Sequence, residues 1–353
     1  MRIGVLTGGG DCPGLNAAIR AVVLRSLEHG HSVLGIHHGW LGLMGSGDVS
    51  PLDANAVSGI LPMGGTILGT SRTNPLWNEA HVNKVLENIR AFKLDAIVAI
   101  GGDDTLSVAA RLDELGVPIV GIPKTVDNDL GETEICIGFD SAVTTVMEAL
   151  DKLHTTATAH HRVMVVEVMG RDAGWVAVMG GLAGGADYIA IPEEPTTIEQ
   201  LCQHVRDRWA AGKESSIIVV AEGASIEGVS EQATLEQRDA FGHVRLEQRG
   251  VAAVTAYEIE RRTGFETRVS VLGHLQRGGS PTSFDRVLAT RLGAAATDLV
   301  NERRFGYMVA LKSNKMVPVP IHDAIKANRK VDRELIDLAK TFFRPREGAL
   351  RSS

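Results

Sequence analysis

Two adjacent carboxylates in a glycine turn, Ile100-Gly101-Gly102-Asp103-Asp104-Thr105, are the clearest chemical signature in this chain. The turn follows an apolar run and opens a helical pattern, where backbone N–H groups and the helix dipole attract an anion. An acid beside bound phosphate makes sense if it holds Mg2+, a hard cation that prefers oxygen ligands. Capping of the helix by Asp104 or Thr105 accounts for one Asp and leaves the other unexplained. An earlier turn, Thr7-Gly8-Gly9-Gly10-Asp11, has the same strand–turn–helix setting. Alone it reads equally well as an anion cradle or a structural tight turn. Pro13 stands at the third glycine of a GxGxxG dinucleotide fingerprint, and Gly212-Lys213 is followed by Glu214, so no GxxxxGK[ST] loop exists.

A third run, Pro123-Lys124-Thr125-Val126-Asp127-Asn128-Asp129, comes directly after a strand candidate. In extended chain Thr125, Asp127 and Asp129 share one face. One carboxylate there can take a proton from an attacking hydroxyl while another orients metal or base. Asp-Asn-Asp also suits a polar turn, but the carboxyl end of a parallel strand is where α/β sheets bind ligands. The candidate cations are Arg72, Arg162, Arg171, Arg268, His274 and Arg277. Arg forks hold phosphate bidentately, so their convergence would suit a doubly phosphorylated product, and singly each reads as a surface charge. The adjacent pairs His37-His38 and His160-His161 point to opposite faces, and without HExxH no zinc is expected.

The elements that must position these residues alternate in a βα rhythm. Strands are expected at Ile3–Thr7, Val33–Ile36, Ala96–Ile100, Pro118–Ile122, Val163–Val168, Ile217–Val220 and Thr267–Leu272. Helices are expected over Leu15–Leu27, Glu79–Phe92, Thr105–Leu115, Asp140 to about Asp151, Trp175–Leu182, Ile198–Trp209, Val251–Arg261 and Arg286–Val300. The polar stretch Glu227–Gln248 reads as an exposed insertion and the tail from Arg344 as frayed. At 353 residues, two α/β lobes are the natural expectation. The 44% hydrophobic and 22% charged content allows a full core, and 39 glycines with 4% aromatics favour a sheet protein with tight turns. A formal charge of −7 argues against general nucleic-acid binding, so a phosphate site must gather its own cations. Cys12, Cys136 and Cys202 form no CxxC, which suits a reducing cytoplasm. No signal peptide or membrane span is expected.

Taken in order, these motifs resemble the phosphofructokinases. The resemblance runs through Gly9-Gly10-Asp11, Arg72, Gly101-Gly102-Asp103, the Pro123–Asp129 run, Val166-Glu167-Val168-Met169-Gly170-Arg171, Glu222-Gly223 and Gly273-His274-Leu275-Gln276-Arg277-Gly278-Gly279-Ser280-Pro281. It implies two Rossmann-like three-layer α/β domains with the active site in the cleft between them. A donor domain would take residues 1–138 and about 278–325, a sugar-phosphate domain 139–277, and a C-terminal segment 326–353. The implied reaction phosphorylates the 1-hydroxyl of fructose 6-phosphate, in glycolysis or its reverse.

By the same resemblance Asp103 matches the Mg2+ ligand and Asp127 the base, with Thr125 and Asp129 as substrate and metal-site partners and Val126 in the substrate-binding run. Arg72 and Arg171 match cations that stabilise the transferring group. Gly10, Gly102, Asp104 and Thr105 fall with the donor. Met169, Gly170, Glu222, Arg268, His274, Leu275, Gln276 and Arg277 match sugar-phosphate binders. Arg162 and Arg268 match residues that reach across a subunit interface, which implies a homodimer or homotetramer with shared sites.

ATP-using members typically carry Gly where this chain has Asp104, and often Gly in place of Lys124. Diphosphate users resemble this chain at both. An Asp104 carboxylate where the α-phosphate of ATP would lie adds repulsion of about 4 kcal/mol at ~4 Å and an effective dielectric of ~20, roughly a thousandfold in affinity. Inorganic diphosphate is therefore the expected donor, with ATP as the alternative and a non-catalytic sugar-phosphate sensor as a remote one. Nucleotide regulation is expected to be weak. The first helix has Leu24 where the family's effector site has a second Arg, with Arg25 about 100° further round, and His154 and Glu214 stand at usually basic positions.

Overall fold

In the computed structural model, which describes residues 1–229 and 250–343, the short apolar runs become strands buried on both faces. Every residue of Ala96–Gly101 and of Val163–Val168 is buried, as parallel strands between helical layers require. Most of the expected insertion and the whole tail from Arg344 lie outside the described residues. No helix among the described residues is long and apolar enough to cross a membrane.

The chain divides into two compact units. Within the described residues the first holds Met1–Ser141 and Arg277–Asn328, and the second holds 142–229, 250–276 and 329–343. The first unit begins with β1 (Arg2–Thr7), α1 (Leu15–Glu28), β2 (Ser32–Ile36), β3 (Val49–Leu52), α2 (Glu79–Ala91), β4 (Ala96–Gly101), α3 (Asp103–Glu114) and β5 (Ile119–Pro123). After α4 (Phe139–His160), the second unit contributes β6 (Val163–Val168), α5 (Trp175–Ala183), β7 (Tyr188–Ala190), β8 (Thr196–Thr197), α6 (Ile198–Ala210), β9 (Ser216–Ala221), β10 (Ile226–Glu227), α7 (Val251–Thr263) and β11 (Thr267–Val271). The chain returns to the first unit for α8 (Ser283–Asn301), β12 (Tyr307–Lys312), β13 (Lys315–Pro320) and α9 (Ile321–Ala324). Finally α10 (Arg333–Phe343) joins the second, where Trp175 Nε1 donates to the Arg329 carbonyl at 3.1 Å.

The first unit's sheet has the order β13-β12-β5-β4-β1-β2-β3, parallel except for its two edge strands. From β1 the chain moves outward to β2, and from β4 it moves the opposite way to β5. The topological switch therefore lies between β1 and β4, where α/β sheets open a crevice beyond the strand ends. Leu6, Ile36, Trp40, Ile97, Leu106, Ile119 and Met308 belong to the core behind it, each large aliphatic side chain contributing about 1.5–3 kcal/mol on burial. The second unit has a parallel sheet of order β11-β6-β9-β7 and a two-stranded pair, β10-β8.

The structure adds β3, β7, β8, β10, α9 and α10 to the expected elements, and two further differences stand out. Helix α4 runs to His160, well past the expected end near Asp151. The β12–β13 hairpin was not expected. Its turn residues Ser313 and Asn314 have φ of 48° and 59°, the left-handed pair of a tight hairpin turn, and Pro318 and Pro320 are tolerated because β13 is an edge strand.

Candidate active site

The two glycine turns sit side by side at the switch point, and one threonine is wedged between them. Gly8 donates its N–H to the Ile100 carbonyl at 2.9 Å. A Cβ on Gly8 would lie 2.5 Å from Thr105 Oγ1, and one on Gly101 2.3 Å from Thr105 Cβ. Close approach, more than backbone conformation, demands glycine at both positions. Thr105 is 2% exposed. Its side chain holds the turns together.

The first turn is closed rather than an open anion cradle. Gly9 donates to the Ser71 carbonyl at 3.1 Å, and Thr70 Oγ1 donates to the Gly9 carbonyl at 2.6 Å. The buried Lys124 ammonium donates to the carbonyls of Gly8 (2.9 Å) and Gly10. Burial pushes the Lys124 pKa down, and Arg277 adds to this. Arg277 belongs to the first unit, donating through Nη1 to the Asp11 carbonyl at 3.1 Å. A Cβ on Gly10 would come within 2.5 Å of that nitrogen. Arg277 thus stands against the expected donor turn, while His274, Leu275 and Gln276 fall in the second unit. Because Lys124 satisfies two carbonyls as well as placing a charge, Lys124→Met is expected to lower unfolding stability by about 2–4 kcal/mol. Urea denaturation checks this; an unchanged midpoint would show the lysine to be dispensable for the turn.

Gly102 precedes α3, and Asp103 and Asp104 occupy its first turn, where carboxylates complement the helix dipole. Among the described residues no group of three or more His, Cys, Asp or Glu is placed to cage a metal. Carboxylate oxygens at the start of α3 fit Mg2+, which keeps waters and binds largely through substrate phosphates. Cys12, Cys136 and Cys202 are buried and outside any disulfide, and burial pushes Cys12 up to about 12, so it is no nucleophile.

The Lys124–Asp129 run is a turn, not the expected extended segment. Thr125 Oγ1 accepts from the Asp127 N–H at 3.1 Å and donates to Asp129 Oδ1 at 3.4 Å, while Asn128 is left-handed with φ 52°. The turn still groups Thr125, Asp127 and Asp129, through a Thr side-chain turn instead of strand alternation. The Val126 side chain is fully buried in the core. Asn128 Oδ1 accepts from Cys136 N at 2.9 Å, and buried Asp285 accepts from Gly138 N and Ser141 N, each at 2.9 Å. These two residues close the returning half of the loop. The sequence gives them no role; an Asn flanked by acids in a turn is the one available signal.

In the second unit the expected sugar-phosphate residues separate into two groups. Met169, Gly170, Arg171 and Glu222 follow the carboxyl ends of neighbouring strands β6 and β9. Glu222 N donates to Val168 O at 2.9 Å, and Gly223 N to Gly170 O at 3.1 Å. Arg171 Nε pairs with Asp172 at 2.8 Å. Gln276 is fully buried, accepting from Met169 N at 3.3 Å and donating to Gly273 O at 3.2 Å. It ties the segment bearing exposed His274 and Leu275 to this cluster. Arg162 precedes β6, and Arg268 is the second residue of parallel β11. Both ion-pair with Glu266, toward the amino ends of the strands, about 16–23 Å from the carboxyl-end group by strand rise.

The positions bearing on nucleotide regulation are engaged locally. Arg25 pairs with Asp298 and Glu28, His154 donates to the Gly184 carbonyl, and Glu214 pairs with His161.

The phosphofructokinase family profile matches residues 2–300. A pyrophosphate–fructose 6-phosphate 1-phosphotransferase from Streptomyces coelicolor is 52% identical over 97% of this chain and 100% of its own length. From the same organism, an ATP-dependent 6-phosphofructokinase 3 is 47% identical over 94% of this chain and 96% of its own. A pyrophosphate-dependent phosphofructokinase structure from Nitrosospira multiformis superposes with a TM-score of 0.82, covering 98% of this chain and 91% of that one at 20% identity. That likeness establishes the two-domain α/β fold. The chain belongs to the phosphofructokinase family and is a phosphotransferase.

Proposed function

We propose that this protein transfers a phosphoryl group from inorganic diphosphate to the 1-hydroxyl of D-fructose 6-phosphate, giving fructose 1,6-bisphosphate and orthophosphate. The observation that carries the choice of donor is the pairing of Asp104, in the first turn of α3, with buried Lys124 beneath the neighbouring glycine turn. The first repels the α-phosphate of a nucleotide; the second places a buried cation beneath the first glycine turn, whose charge favours a small anion nearby. Overall identity does not separate the donors, since a relative named for diphosphate and one named for ATP differ by five points (52% against 47%). The reading therefore stands on those two side chains.

Phosphoryl transfer depends on positioning and charge neutralisation more than on covalent chemistry. In this reading Asp127 accepts the proton of the 1-hydroxyl as its oxygen attacks the terminal phosphorus, and the bridging P–O bond breaks to release orthophosphate. Arg72 and Arg171 offset charge on the moving group, while Met169, Gly170, Glu222 and His274 hold the sugar phosphate. Asp103 would hold Mg2+, which neutralises diphosphate charge when bound. Asp129 and Thr125 orient the base. Arg162 and Arg268, at the far ends of β6 and β11, are assigned to the site of a second copy in a homo-oligomer. Their distance from the carboxyl-end cluster supports that assignment.

The test is direct: purified protein with Mg2+, fructose 6-phosphate and diphosphate should release orthophosphate and fructose 1,6-bisphosphate in equal amounts. Turnover with ATP alone would favour the other donor.

A further inference from the structure

We propose that Asn16 is a positioning residue that fixes Arg72 for the phosphoryl transfer; this rests on the role given to Arg72 above. Arg72 comes at the end of a strap, residues 61–72, with no helix or strand of its own. Such a segment must find partners for its backbone groups one by one. Asn16, 1% exposed in the first turn of α1, supplies three of them. Its Nδ2 donates to the carbonyls of Met63 (3.2 Å) and Gly64 (3.1 Å), and its Oδ1 accepts from Ile67 N at 2.8 Å. Both amide hydrogens and the oxygen are spent on the strap. Only a carboxamide offers this donor–donor–acceptor set at that length, since a carboxylate would face two carbonyl oxygens.

From Thr66 onward the strap is stitched to the ends of β1 and β2 and to the first glycine turn. Thr66 and Thr7 hydroxyls meet at 2.9 Å, and Thr7 Oγ1 donates to Gly69 O at 2.8 Å. His38 N donates to Leu68 O at 2.9 Å. Thr70 Oγ1 donates to Gly9 O at 2.6 Å, and Gly9 N donates to Ser71 O at 3.1 Å. Arg72 is the next residue. The strap has no slack at its near end, because a Cβ on Gly64 would fall 2.1 Å from the Gly279 carbonyl oxygen. Asn16 therefore sets the register of a backbone that arrives at Arg72 already bonded to the donor turn. Releasing it lets the guanidinium drift without removing it, and a shift of about 1 Å in a positioned group costs on the order of 10²-fold in rate.

The experiment is a double-mutant cycle on Asn16→Ala and Arg72→Ala, measuring kcat, KM for fructose 6-phosphate and Tm with whichever donor the wild type uses. Failure of diphosphate as donor therefore leaves this test intact. Arg72→Ala should lower kcat about 10²–10³-fold. Asn16→Ala should lower it about 10–100-fold with KM within about twofold, and cost less than about twofold more when Arg72 is already Ala. Thr70→Val, which cuts one stitch further along, should show the same coupling in smaller measure; it carries the test alone should Asn16→Ala not fold. An equal loss of kcat from the strap variant in both backgrounds would make the strap merely structural and overturn the proposal. An unaltered kcat in Asn16→Ala would do the same. Full activity in Arg72→Ala would overturn the role of Arg72 itself, and the inference with it.

Discussion

Asp127→Asn is expected to lower kcat by about 10²–10⁴-fold, the usual contribution of a positioned general base, while KM for fructose 6-phosphate changes little. Asparagine keeps the shape of the side chain and the backbone turn, in which the Asp127 N–H is held by Thr125 Oγ1 at 3.1 Å. What it loses is the capacity to accept the proton from the 1-hydroxyl. Since that proton moves only as the new P–O bond forms, the loss falls on kcat and not on ground-state binding. Steady-state rates against both substrates give the split. A kcat within tenfold of wild type would move the role of base to another group, with Asp129 the nearest candidate through its contact with Thr125 at 3.4 Å.

Asp104→Gly is expected to raise affinity for ATP by roughly a thousandfold, the counterpart of about 4 kcal/mol of repulsion removed. Turnover of diphosphate should persist, because Asp103, Lys124 and Arg72 remain. The substitution has a side effect of known sign. Glycine near the start of α3 costs about 1 kcal/mol in helix propensity, and a carboxylate that complements the helix dipole is lost. The variant should thus melt somewhat lower while accepting the larger donor. Measured ATP affinity that stays at the wild-type level would remove Asp104 as the selector and leave its place beside Asp103 unexplained.

Sequence periodicity was enough to place the strands that matter, because strands buried on both faces leave short, unbroken apolar runs. β6 begins and ends at its expected residues, and β1 and β4 differ by one residue at one end. The hairpin Tyr307–Pro320 was hidden because its second strand carries two prolines, and its turn signal is Ser313-Asn314, a weaker signal than Asn-Gly. Helix α4 reaches His160 through a threonine-rich stretch whose low propensity suggests an earlier stop; tertiary packing overrides it.

At the site, residue type revealed chemistry but not burial. Asp103 and Asp104 open the helix after the second glycine turn, whereas Arg277, expected among the sugar-phosphate binders, lies against the first turn. Thr105, Val126 and Gln276 lie in the same motifs but face inward as wedge, core residue and tether. Spacing cannot tell a side chain that touches a ligand from one that holds its neighbour in place. Asn16 and Asp285 were invisible for the converse reason, since their partners are backbone groups 47 and 147 residues away.

The most direct measurement sets Mg-diphosphate and Mg-ATP side by side, with one preparation of wild-type protein and matched fructose 6-phosphate. The kcat/KM for diphosphate should exceed that for ATP by about a thousandfold or more. Fast turnover of ATP with none of diphosphate would contradict it.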